Sequence, residues 1–183
     1  MDNVTTRIVA KELCSGCGVC AGVCPYGALT MQLLENGDIA PIADNTLCHD
    51  DCHLCVSICP FSSGIHDPSA RNQELFDKIP RIKQDDIIGR YLESFVGYRN
   101  DSFLRSVSAS GGLLSWSLEK LFEEKEITHA ALVRFSSNHE KGFFEFYAAT
   151  SVAEVRNSAG SVYHPVEISD VIKKMLSEKD RRW

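Results

Sequence analysis

All eight cysteines of this 183-residue chain fall in two short runs. The first reads Cys14-Ser-Gly-Cys17-Gly-Val-Cys20-Ala-Gly-Val-Cys24-Pro25, the second Cys48-His-Asp-Asp-Cys52-His-Leu-Cys55-Val-Ser-Ile-Cys59-Pro60. Thiolates are soft, electron-rich ligands, and gaps of two residues turn successive sulfurs onto one concave surface. Three thiolates from such a loop face one small inorganic object. The fourth has to come from elsewhere, because the loop cannot close round it. The chemistry that fits is the holding of iron–sulfur cubanes and the movement of single electrons. Structural zinc takes two separated pairs of ligands, and two tight triplets with a trailing Cys-Pro suit it poorly. A disulfide framework fits no better: the chain opens without a signal-peptide pattern, so a cytoplasmic, reducing location is expected. With four cysteines available, His49 and His53 are expected to face solvent.

The spacing C-x2-C-x2-C-x3-C-P is that of bacterial two-cluster ferredoxins, which the two runs resemble; the second carries one extra residue in its first gap. In those proteins the fourth cysteine of each run ligates the other cluster. The resemblance implies one 4Fe-4S cluster on Cys14, Cys17, Cys20 and Cys59, and a second on Cys48, Cys52, Cys55 and Cys24. Gly16, Gly18 and Gly22 let backbone approach the inorganic core and aim N–H groups at sulfur. Pro25 and Pro60 fix φ after the fourth ligand, and Tyr26 and Phe61 follow as candidate screens against water.

Charge is uneven. Residues 1–67 carry two basic and eight acidic side chains, whereas residues 68–183 carry 17 of each, so the whole formal charge of −6 sits with the cysteines. Each oxidised cubane with its thiolates adds about −2 more. Such a surface favours a redox partner protein with a basic docking face and repels nucleic acid. No apolar stretch approaches the roughly 20 residues of a membrane helix.

These sites need elements to position them. Ala28 to Leu34 and Asp38 to Ala43 read as strands joined by the turn Glu35-Asn36-Gly37, and Ile8-Val9 as a strand before the first run. Residues 68–90 read as a connector, with a helix from Ser69 to Lys78 and a solvated stretch Arg81 to Asp86. From residue 91 strands and helices alternate. The expected strands are Phe95–Tyr98, Ala130–Phe135, Phe143–Ala149 and Val162–Val166, with a turn over Asn138–Gly142. The expected helices open at Ser110-Gly111-Gly112, Ser151 and Ser169. The fold class expected is an α+β two-cluster ferredoxin-like module over 1–67, the connector over 68–90, and a partial α/β domain over 91–183. Ser108-Ala109-Ser110-Gly111-Gly112 is a second candidate site: glycines at a helix start expose N–H groups to an anion, although the same residues serve as a plain N-cap.

The order of these segments resembles the family of coenzyme F420 hydrogenase/dehydrogenase beta subunits, which are iron–sulfur flavoproteins. The matching pieces are the cysteine module, Phe95-Val-Gly-Tyr98, Ser108-Ala-Ser-Gly-Gly112, the helix ending Leu121-Phe-Glu-Glu-Lys, and Ala159-Gly160-Ser161-Val-Tyr163. The resemblance implies FAD, with Ser110, Gly111, Gly112, Gly160 and Ser161 near the flavin. It also implies a deazaflavin or other hydride carrier as second substrate. Family members continue through a Gly-Leu-Pro-Cys segment that this chain lacks, so the sequence reads as the front portion of a longer protein with an incomplete flavin site. On this reading no side chain need act as a general acid or base. The alternative is a non-enzymatic, ferredoxin-type electron carrier with a partner-docking domain.

Overall fold

The computed structural model describes residues 2–62, 68–137 and 142–183. Helix α1 (Val4–Arg7) starts at Asn3, whose side chain accepts from the Thr5 N–H while Thr6 answers the Asn3 N–H. A 3₁₀ turn over Val9–Lys11 follows. Ile8 and Val9 are therefore helical rather than a strand. Val4 and Ile8 are buried a turn apart, so their apolar spacing has period 3.6 rather than 2. Helix α2 (Val19–Gly22) carries Cys20. Strands β1 (Leu29–Leu33) and β2 (Ile39–Ala43) pair antiparallel, with Leu29 opposite Ala43 and Leu33 opposite Ile39. Gly37, at φ 87°, makes the expected turn. Helix α3 (Leu54–Ser57) carries Cys55 and repeats α2. Val4, Ile8, Ala21, Leu29 and Val56 form the core of this part, and Cys20 and Cys55 belong to that core.

Helix α4 (Pro68–Phe76) matches the connector helix, although it ends two residues short of Lys78. The stretch Arg81 to Asp86 is exposed, as expected, apart from a half-buried Ile82, and it contributes a strand to a small hairpin. There β3 (Lys83–Asp85) pairs with β4 (Gly89–Tyr91), and the Asp85 carboxylate accepts from the N–H groups of Ile87 and Ile88. Phe95–Tyr98 forms no ladder. It lies along the turn that leads into the helix over Leu113–Glu123, where the Arg99 N–H donates to the Gly111 carbonyl at 2.8 Å. A short helix that the sequence pattern does not announce, α5 (Ser102–Ser106), is capped by Asp101.

Helix α6 (Leu113–Glu123) begins at Gly112, in the left-handed region at φ 74°. Strands β5 (Ala130–Phe135) and β6 (Phe144–Ala149) pair antiparallel. The turn expected over Asn138–Gly142 lies largely outside the described residues. Helix α7 (Val152–Asn157) is capped by Ser151, as expected. Val162–Val166 is not a strand. Helix α8 (Ser169–Ser177) takes in Ser169, expected as the cap of a helix from Asp170; the cap residue is Ile168, the Glu167 carboxylate accepts from the Ser169 N–H at 2.6 Å, and Ser169 itself is buried.

The described sheets are three antiparallel two-stranded pairs. Alternation of strand and helix after residue 91 thus does not give the parallel sheet of an α/β domain. Strands β5 and β6, consecutive in the chain, pair antiparallel. The described architecture is small α+β with short antiparallel sheets. Among the described residues no helix is long and apolar enough to cross a membrane.

Candidate metal centre

The two cysteine runs build the same local structure twice. In each, a four-residue helix holds the third cysteine as its second residue, Cys20 in α2 and Cys55 in α3. The chain leaves both helices through nearly identical backbone: Val23 at φ −90°, ψ −6°, and Ile58 at φ −90°, ψ −14°. That exit swings Cys24 and Cys59 away from their own loops.

Two cavities result. Cys14, Cys17 and Cys20 line the first together with Cys59, under Val4, Ile8, Met31, Pro41 and Phe61. Cys48, Cys52 and Cys55 line the second together with Cys24, under Asn3, Ala28, Leu29, Tyr26 and Leu54. The first encloses about 130 Å³ and the narrower second about 20 Å³. In the second, the Tyr26 and His49 rings lie 4.1 Å apart, centroid to centroid. Among the described residues no three His, Cys, Asp or Glu side chains converge on a single ion. The thiols of each foursome instead ring a space walled mainly by carbon and sulfur. A polynuclear cluster with four thiolate corners fits such a donor set.

The backbone supports that use. Gly16 is at φ 72°, and a Cβ there would lie 2.5 Å from the Ile39 carbonyl oxygen, so only glycine fits. Its N–H donates to Cys14 Sγ at 3.4 Å. Asn3 Nδ2 stands 3.9 Å from Cys48 Sγ, and the Val4 N–H is aimed at Cys55. In the sequence Asn3 carries only the signal of a helix cap, and nothing there links it to a cysteine 45 residues away. Burial, reinforced by Cys17, pushes the Cys20 thiol up to about 12. Burial also raises Cys55, partly offset by the Val4 N–H. Before ligation these two sulfurs are therefore neutral thiols, and metal binding has to release their protons.

The first cysteine loop is fastened to the far end of the chain. The Ile168 N–H donates to the Cys17 carbonyl at 3.0 Å. Helix α8 packs against α2. Cβ atoms at Gly18 and Gly22 would meet Glu167 Oε2 at 2.5 Å and Ile172 Cβ at 2.6 Å.

The residues assigned to flavin by resemblance lie elsewhere. Ser110 is exposed at φ 51°. Gly111 packs backbone to backbone, since a Cβ would meet the Gly97 oxygen at 2.8 Å, and Gly112 is the left-handed start of α6. Gly160, at φ 118°, and Ser161 are exposed, with nothing within 4 Å of a Cβ at Gly160. None of the five lines the cavities at the cysteine runs. What organises this region is Glu119, 3% exposed, which receives both Arg99 nitrogens at 2.6 and 2.9 Å and an Arg156 nitrogen at 2.9 Å. The two guanidinium groups, Arg99 foremost, hold its carboxyl down at about 2.

Comparison with known proteins follows the same division. Residues 13–63 match a 4Fe-4S dicluster domain. Residues 94–173 match the N-terminal part of the coenzyme F420 hydrogenase/dehydrogenase beta subunit. One of the subunits of the F(420)H(2) dehydrogenase of Methanosarcina mazei is 23% identical over 187 residues, covering 96% of this chain and 45% of that polypeptide. A ferredoxin of Pyrobaculum islandicum is 40% identical over 53 residues, 29% of this chain and 45% of the ferredoxin. An uncharacterized ferredoxin of Methanocaldococcus jannaschii is 43% identical over 53 residues, 29% of this chain and 66% of that protein. The chain thus spans less than half the length of the dehydrogenase polypeptide it matches. These matches mark an iron–sulfur electron-transfer protein related to the coenzyme F420 hydrogenase/dehydrogenase subunits.

Proposed function

We propose that the chain relays single electrons through two 4Fe-4S clusters to or from a flavin, as part of an oxidoreductase. One cluster sits on Cys14, Cys17, Cys20 and Cys59, the other on Cys48, Cys52, Cys55 and Cys24. The observation that carries this reading is the exchange of fourth cysteines between the two cavities. A bound cubane supplies a one-electron couple whose potential follows from charge, burial and hydrogen bonds to sulfur. The chain supplies the rest. Gly16, Asn3 and Val4 point N–H groups at sulfur, and Tyr26 and Phe61 cover the rims.

A flavin accepts a hydride and passes it on as two single electrons, which is the chemical reason to join one to clusters. The residues assigned to FAD are Ser110, Gly111, Gly112, Gly160 and Ser161. The name of the Methanosarcina relative makes a reduced deazaflavin the leading hydride donor. The ferredoxin relatives, which match over the cysteine module alone, favour a second reading, a carrier with a docking domain and no flavin.

The deciding experiment is anaerobic purification with iron and sulfide analysis, then absorption spectra before and after dithionite. About eight irons per chain and a broad band that bleaches are expected for two cubanes. Half that iron, or a band that does not bleach, would sink the two-cluster reading. A structured flavin band under the cluster band would support the oxidoreductase; a cluster band alone would make this chain the electron-entry half, with the flavin chemistry in further sequence or in a partner, and only the absence of flavin from an extended form would favour the carrier.

A further inference from the structure

The two cavities have different surroundings. The first adjoins a loop tied to the C-terminal part of the chain through the Ile168-to-Cys17 hydrogen bond and the packing of α8 on α2. The second lies at the open end of the β1–β2 hairpin, away from its turn. Ala28 and Leu29 line it, whereas Met31 and Pro41 line the first. The hairpin end next to the second cavity continues into Asp44, whose N–H donates to the Ala28 carbonyl at 2.8 Å. Asp50 and Asp51 follow, between the ligand candidates Cys48 and Cys52, and all three acids are exposed. Tyr26 and Leu54, which line this cavity, are also exposed, at 46% and 41%. From Glu12 to Asp67 the sequence has no lysine or arginine, so no cation of that segment offsets these acids.

Asp50 and Asp51 stand in sequence between His49 and Cys52, which line the cavity together with Cys24, Cys48 and Cys55. We propose that this face, rimmed by Asp44, Asp50 and Asp51, docks a basic electron-transfer protein, and that the second cluster exchanges electrons with that partner while the first faces the domain after residue 91. The inference rests on the two-cluster function above. Each exchange moves one electron and makes or breaks no bond; the partner's centre is reduced as one cluster of the chain is oxidised, or the reverse. Opposed surface charges act mainly on the encounter rate, and salt screens them over about 10 Å at 0.1 M.

The test uses the full cluster-loaded chain, reduced and mixed in a stopped-flow instrument with ferric cytochrome c, a basic haem protein. Two double variants alter net charge equally at the two ends of the hairpin: D50K/D51K at the second cavity, and E35K/D38K at the β1–β2 turn. At low salt D50K/D51K is expected to slow haem reduction about tenfold or more and E35K/D38K less than about twofold, with the difference gone at about 0.5 M salt. Equal slowing, or greater slowing at the turn, overturns the proposal. Carbodiimide cross-linking of the unsubstituted chain to cytochrome c, which needs no variant, is expected to capture Asp44, Asp50 or Asp51; capture at Glu35, Asp38 or beyond residue 91 also overturns it. Iron content separates the two failures. Fewer than two clusters sinks the relay itself, whereas two clusters with equal slowing sinks only the docking face.

Discussion

At the scale of single residues, the exchanged cysteines make the sharpest claim. Cys59 is close in sequence to Cys55 but lines the cavity of the other run. Cys59→Ala is therefore expected to remove the cluster of the first run and spare that of the second, with Cys24→Ala doing the converse. Electron paramagnetic resonance of the reduced variants distinguishes the two remaining centres, and the same centre lost in both would refute the crossing. Glu119 makes a second claim, about stability. Its folded carboxyl, held at about 2 against an ordinary 4.5, adds stability that is fully present above pH 4.5 and lost as pH falls through 2. Glu119→Gln leaves two cations facing an uncharged side chain and is expected to cost about 3–5 kcal/mol at neutral pH. It should also flatten the acid limb between pH 4.5 and 2. Denaturant titration by tryptophan fluorescence checks both. Nothing in the sequence marks Glu119 out, because a lone glutamate in a helix becomes a keystone only when two distant arginines reach it.

Among the elements, α8 is the one whose role is least legible in the sequence. Its helical pattern from Ser169 is clear, but its partner is not, since α2 lies some 150 residues earlier in the chain. The contact leaves no room at Gly22. Gly22→Ala is expected to overpack the α2–α8 contact by about 1–3 kcal/mol and to speed hydrogen exchange across 169–177. Gly27→Ala is the control: Gly27 is at φ 64° with nothing near a Cβ, so it should cost only about 1–2 kcal/mol of backbone strain and leave α8 exchange unchanged. Equal exchange in the two variants would contradict the packing argument. The β1–β2 hairpin is legible almost to the residue, because Asn36-Gly37 supplies a turn between two runs of strand character. Phe95–Tyr98 fails as a strand for the opposite reason. An apolar run becomes a strand only where another strand pairs with it, and the neighbour here is the turn that leads into α6.

For the molecule as a whole, the core near the N-terminus contains Cys20 and Cys55, the buried candidate ligands. On the two-cluster proposal, folding there is expected to be coupled to cluster binding. Removal of iron by an anaerobic chelator is expected to expose residues 2–62 to proteolysis while β5, β6 and α7, held by their own hairpin and by the Tyr147–Ser158 hydrogen bond at 2.8 Å, stay protected. Uniform loss of protection would show one cooperative unit instead.

The sequence by itself determined the chemistry of the metal centre. Ligand spacing within a few residues constrains loop geometry directly, so the cysteine runs, their prolines and the glycine at 16 carry their meaning without a fold. It determined the acidic bias of the first 67 residues as well, because charge adds up without folding. Only the tertiary structure decided the rest: that Asn3 reaches Cys48, that Glu119 gathers Arg99 and Arg156, and that α8 closes on the loop of Cys17. Each of these depends on contacts between segments far apart in the chain. Their energies come from burial and charge pairing that no local pattern encodes.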